Sequence, residues 1–141
     1  MADDLTRARE LLAAGSCTCA LVCGGKEITS TERGVKPLLE LYESGRDYSA
    51  YSAADKVIGN GAAFLYVLLG IKKIYCEVIS ADAKATLDSN GIEITYGELV
   101  PAIINHDKTG FCPVETAVKG ITKPQAALDA IKKQLRKMKI I

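Results

Sequence analysis

No run of apolar residues in this chain is long enough to cross a bilayer. The longest, Ala62 to Ile71, is about half of the ~20 residues that a spanning helix needs. Charge of one sign is missing as well. Eighteen basic residues stand against 17 acidic ones, a formal net charge of +1, so no global field draws the protein to DNA or to acidic membranes. A nucleic-acid partner is disfavoured and a membrane partner is not expected. The opening residues, Met-Ala-Asp-Asp-Leu-Thr-Arg, lack both the basic segment and the apolar region of a signal peptide, which makes the cytoplasm the expected location. Repeats, low-complexity segments and linkers are absent too, so residues 1–141 read as one domain with room for a real core. Histidine occurs once, at His106.

What is present is an ordinary globular composition, 48% hydrophobic and 25% charged, with five cysteines. An odd number of cysteines, in a chain too large to need disulfide staples, reads as reduced thiols. Leu5, Ala8, Leu11 and Leu12 lie at helical spacing before Gly15. Cys17–Cys23 and Lys26–Thr31 read as two strands joined at Gly24-Gly25, residues that tolerate the positive φ of a tight hairpin. Alternation places Cys17, Cys19, Leu21 and Cys23 on one face. A short helix begins around Gly34-Val35-Lys36-Pro37.

Ser52 to Gly70 then carries apolar or small residues at Ala54, Ile58, Ala62, Leu65 and Leu69, with Val57, Phe64 and Leu68 opposite. That pattern predicts one buried helix, with Ser52 as its N-cap and Gly70 as its stop. Downstream come a strand over Lys73–Ile79, a helix capped by Ser80, a strand over Ile92–Tyr96 and an irregular stretch over 97–111. A helix opening at Cys112-Pro113 follows, and a last one begins around Thr122, Pro124 and Gln125. In that last helix Leu128, Ile131, Leu135 and Met138 form the core stripe. The helix–strand alternation implies parallel strands with right-handed crossovers. The expected fold is a three-layer α/β/α sandwich whose mixed sheet opens with an antiparallel hairpin.

Three groups could carry chemistry. Pro113 at a first helical position would make Cys112 the N-cap, where the helix dipole favours a thiolate, with Glu115 three residues on as a proton acceptor. The plainer alternative is that Cys112 substitutes for Ser as a weak cap. Asp55 and Lys56 are the charges of the 52–70 helix. Either the acid is ordinary first-turn capping, or the pair is functional, with Lys56 holding Asp55 ionised or binding a phosphate or carboxylate. His106, six residues before Cys112, could serve that thiol as a base, although a lone loop histidine is more often solvated. Two motifs are set aside. Gly59-Asn60-Gly61 starts like a dinucleotide loop, but Phe64 fills the third glycine position and no strand is read before it. Cys17, Cys19 and Cys23, alternating along a strand, are a poor match to one tetrahedral zinc.

The element order and the Ser-Ala-Ala-Asp-Lys segment resemble the cytidine deaminase-like fold. In closer detail the chain resembles a small prokaryotic family of unknown function, a distant branch of that superfamily. The resemblance rests on Ala53-Ala54-Asp55-Lys56, on Gly59 and Gly61, and on Gly110-Phe111-Cys112-Pro113-Val114-Glu115. Zinc deaminases carry His/Cys-x-Glu at the start of their central helix and Pro-Cys-x-x-Cys at the next. Here those slots read Ala53-Ala54-Asp55 and Ser80-Ala81-Asp82-Ala83-Lys84, without a zinc ligand. The resemblance therefore implies the architecture and the place of a pocket, with no metal and no other cofactor expected.

The functional expectation is a metal-independent enzyme acting on a small nucleotide-like or otherwise anionic ligand. Asp55, Cys112 and Glu115 would be catalytic, and Ser52, Lys56, Thr109 and Gly110 would bind the ligand. The alternative is a non-catalytic binding or regulatory module in the same fold. Homo-oligomerisation is left open.

Overall fold

The computed structural model describes residues 3–32, 35–103 and 113–141. The elements run α1 (Asp4–Ala13), β1 (Cys19–Cys23), β2 (Lys26–Ser30), α2 (Lys36–Glu43), β3 (Ser52–Ile58), α3 (Asn60–Leu69), β4 (Lys73–Ser80), α4 (Ala81–Ser89), β5 (Glu93–Val100), α5 (Pro113–Ala117) and α6 (Pro124–Lys137). Among the described residues, the strands form one open sheet in the order β2-β1-β3-β4-β5. β1 pairs antiparallel with both β2 and β3, while β3, β4 and β5 run parallel. The fold is therefore mixed α/β. The opening hairpin and the parallel strands both match the sequence reading, and Gly24 and Gly25 take the positive φ values of 53° and 94° that the turn demands.

Helices cover both faces. α1 lays Ala8 and Leu12 against Ala20, Val22 and Ala54 on one side. On the other, a larger cluster joins Leu21, Ala53, Ile74 and Cys76 of the strands to residues of the remaining helices, including Phe64, Leu87 and Ile131. Ser80 caps α4 as expected, its hydroxyl accepting from the Ala83 amide at 3.2 Å. In α6 the stripe Leu128, Ile131 and Leu135 is buried, but Met138 is exposed, and the N-cap is Lys123 rather than Thr122.

The main correction lies at 52–70. Residues 52–58 are not the first turns of a helix but the central strand, and the helix begins only at Asn60, after an extended Gly59. Ladders on both sides, to β1 and to β4, satisfy the backbone of Ser52–Ile58 and override the helical preference of Ala53 and Ala54. A smaller correction concerns the cysteines. β1 starts at Cys19, so Cys17 lies before the strand and joins the α1 side, while Cys19 faces the other core. Cys23, at the turn end of β1, is only partly buried.

Candidate functional site

Strand β3 carries an acid where a core residue would be expected. Asp55 stands between Cys19 of β1 and Cys76 of β4 in the sheet register. Its Oδ2 accepts a hydrogen bond from the Tyr66 hydroxyl of α3 at 2.8 Å, and that hydroxyl lies 3.4 Å from Cys19 Sγ. Tyr66 has no exposed surface, Cys76 has none, and Asp55 keeps a partly covered one. Burial raises the Asp55 carboxyl from 3.8 to about 7, against the opposing hydrogen bonds from Tyr66 and from the Val57 and Lys56 backbone. Burial, with the Asp55 charge adding to it, also pushes the Cys76 thiol up to about 12 and the Cys19 thiol and Tyr66 phenol well above their ordinary values. Asp55 is thus the member of the cluster that changes charge near neutrality. Such an arrangement can take up and release a proton at ordinary pH.

The start of α3 is the second feature. Gly59 offers no capping side chain there. Instead the Glu115 carboxylate reaches over from α5 and accepts from the Asn60 amide at 2.6 Å and the Gly61 amide at 2.9 Å. Both glycines are required by this approach. A β-carbon on Gly59 would collide with the Glu115 carboxylate, and one on Gly61 would lie 2.6 Å from Val114 Cγ1. Burial raises the Glu115 carboxyl, opposed by the two amides. The strand now seen before Gly59 removes one reason for setting the Gly59-Asn60-Gly61 motif aside. Even so, Phe64 still fills the third glycine position, and the two amides are already engaged.

The remaining site candidates scatter. Lys56 follows Asp55 on a strand, so its side chain leaves the opposite face, on the side of Cys17, whose thiol burial raises while the Lys56 charge works against that rise. It does not hold Asp55 ionised. Ser52 is buried at the other end of β3, where it lines a cleft of about 300 Å³ with Asp3, Asp4, Lys72 and Lys73. Cys112, Thr109, Gly110 and His106 lie outside the described residues. Sequence reasoning missed Tyr66, Cys19 and Cys76 as neighbours of Asp55. The available signal was a tyrosine on a helix whose other positions are almost all apolar.

The true helix start, Gly59-Asn60-Gly61, and the start of α4 hold neither Cys nor His, and no metal-binding group of three or more His, Cys, Asp or Glu occurs among the described residues. Elemental analysis of metal-replete protein should accordingly find zinc well below one ion per chain. One zinc per chain would overturn this reading and restore a deaminase chemistry.

Fold and site together define a mixed α/β protein with an open five-stranded sheet and a titratable acid inside it. The family model for a domain of unknown function, DUF1893 (TM1506), matches residues 7–135, and the chain belongs to that family. The crystal structure of a DUF1893 family protein (TM1506) from Thermotoga maritima superposes with a TM-score of 0.82 at 24% identity, covering 97% of this chain and 92% of that one. At that identity the likeness speaks for the fold. No curated protein matches the chain. No described helix is long and apolar enough to cross a membrane.

Proposed function

We propose that the protein is a metal-independent enzyme that uses Asp55 as a proton-transfer group on a small nucleotide-like or otherwise anionic ligand. The observation that carries this reading is the Asp55 carboxyl itself. Mid-sheet, bonded to a buried tyrosine and raised to about 7, it is placed at a cost that a structural acid has no reason to bear. The order helix, hairpin, helix, strand, helix, strand, helix, strand supports the finer architecture, a three-layer α/β/α sandwich of the cytidine deaminase kind. In this reading Cys112, which directly precedes the Pro113 that opens α5, is the nucleophile, and Glu115 holds α5 against α3. Thr109 and Gly110 contribute to the ligand site, and the expected location is the cytoplasm.

One observation favours the second reading, a non-catalytic binding module: the Glu115 carboxylate already occupies the amides at the start of α3. Thiol reactivity separates the two. Burial raises Cys17, Cys19 and Cys76, which disfavours their thiolates, whereas Cys23 is partly exposed and is the natural competitor. With folded protein and limiting iodoacetamide at neutral pH, most label should fall on Cys112, and a Cys112→Ser variant should stay folded and lose it. Label confined to Cys23, or a Cys112 that stays unmodified until unfolding, would favour the binding module.

A further inference from the structure

The hydroxyl of Tyr66 is hard to explain by packing. The side chain has no exposed surface and belongs to the larger core cluster, where phenylalanine would fill the same space. Among the described residues, its two polar neighbours are Asp55 Oδ2 at 2.8 Å and Cys19 Sγ at 3.4 Å. The three groups come from β3, α3 and β1 and form a short chain of hydrogen bonds, with Tyr66 in the middle. A phenolic hydroxyl both donates and accepts, as does a thiol.

We propose that Tyr66 is the positioning residue for the proton on Asp55, and that with Cys19 it forms a hydrogen-bond chain that reverses direction when the carboxylate gains or loses that proton. The inference rests on the reading of Asp55 given above. With Asp55 ionised, the Cys19 thiol donates to the Tyr66 oxygen and the Tyr66 hydroxyl donates to Oδ2. With Asp55 protonated, its own O–H donates to the Tyr66 oxygen and the Tyr66 hydroxyl turns to the Cys19 sulfur. One proton is added at the carboxyl and each other donor keeps its own; on protonation only the Cys19 S–H, a weak donor, gives up its acceptor, while both hydroxyl donors stay paired in either state. Among the described residues, the titratable groups facing Asp55 are Tyr66 from α3, Cys19 from β1 and Cys76 from β4, while Lys56 of its own strand points to the other face and Cys17, before β1, feels the Asp55 charge and is itself raised by burial. The three facing groups keep their protons at neutral pH because burial raises them all. Among the described residues, Asp55 therefore titrates against partners whose own charge does not change near neutrality.

The test is a carboxyl NMR titration of Asp55 in 13C-aspartate-labelled protein. In the wild type the midpoint should lie near 7. Tyr66→Phe keeps the ring and removes the donor that favours the carboxylate, so the midpoint should rise by about one pH unit. Cys19→Ala removes a weak S–H donor to Tyr66 when Asp55 is ionised but leaves the buried Tyr66 hydroxyl without its acceptor when Asp55 is protonated. The second loss is the larger, so the midpoint should move the other way, down by a few tenths of a unit. Opposite movements support the chain, and should Tyr66→Phe not fold, the direction in Cys19→Ala decides. A midpoint near 7 that neither substitution moves, or that Cys19→Ala raises, overturns the inference while leaving Asp55 as the proton-transfer group. An Asp55 that titrates at its ordinary value in the wild type overturns both.

Discussion

Replacing Asp55 by Asn should make the protein more stable at pH 8 and leave it nearly unchanged at pH 4. In the unfolded chain the carboxyl releases its proton near 3.8, whereas in the fold it holds the proton until about 7. Between those values the native state binds a proton that the unfolded state has lost, so stability falls as pH rises. The favourable contribution is fully present below 3.8 and gone once the pH passes about 7. The displacement corresponds to about 4 kcal/mol. Asp55 still meets some solvent, which screens the charge and brings the expected difference down to about 2 kcal/mol. Asn carries no such proton and can still accept from Tyr66. Denaturant melts of wild type and variant across this pH range should show the advantage of Asn growing between pH 4 and 7 and then levelling. A constant difference, or one that grows toward acid, would refute the placement of Asp55. The same variant should lose whatever turnover the protein has, the usual relation between a strained functional group and stability.

Gly59→Ala should destabilise the protein only while Glu115 is present. Gly59 has φ −92° and ψ 177°, a conformation alanine adopts without strain, so the backbone contributes little to the effect. What the new methyl meets is the Glu115 carboxylate. To make room the carboxylate must leave the Asn60 and Gly61 amides, a loss of about 1–3 kcal/mol. Glu115→Ala alone should cost a similar amount, because it uncovers the same two amides. In the double variant the clash has no partner, so the two effects should fall short of additivity by about 1–2 kcal/mol. Strictly additive values would mean that Glu115 does not bind there. Gly61→Ala offers a control with the opposite local bias. Alanine favours a helix over glycine by up to about 1 kcal/mol, yet here its methyl would press on Val114, so a net loss is expected.

Much of this architecture is legible from spacing alone. The hairpin glycines, the Ser80 cap, the left-handed Gly70 stop and the parallel strands after it follow from local rules of turn and cap chemistry. The error at 52–58 has a definite cause. Ser-Ala-Ala-Asp-Lys scores as a helix start, and its apolar positions fit a helical stripe as well as a strand covered on both faces. Alanine at 53 and 54 is explained by close neighbours on each side, Ala54 lying in the α1 cluster and Ala53 in the opposite core. Nothing local reports that. Val57 and Ile58 ahead of Gly59 were the usable hint, two β-branched residues before a break. The site follows the same division. Asp55 stood out as a charge in an apolar stretch, but Tyr66 and Cys19, eleven and thirty-six positions away, become its partners only once the sheet order is known. Glu115 stands in the first turn of its own short helix, yet the helix it caps begins 55 positions earlier, and nothing local reports that.

That distant cap also bears on the order in which the chain can be completed. As the polypeptide is made from its N-terminus, α3 emerges with Gly59 at its head and no side chain to close it. The acceptor for its first amides is synthesised 54 to 55 residues later, after β4, α4 and β5. At translation speeds of about 5–20 residues per second, α3 would spend several seconds with an open end. Throughout that interval the two glycines also leave its first turn poorly disposed to hold itself together. The final third of the chain thus finishes the central helix from outside, and a nascent fragment that stops short of α5 should show amide exchange at Asn60 and Gly61 that the finished protein suppresses.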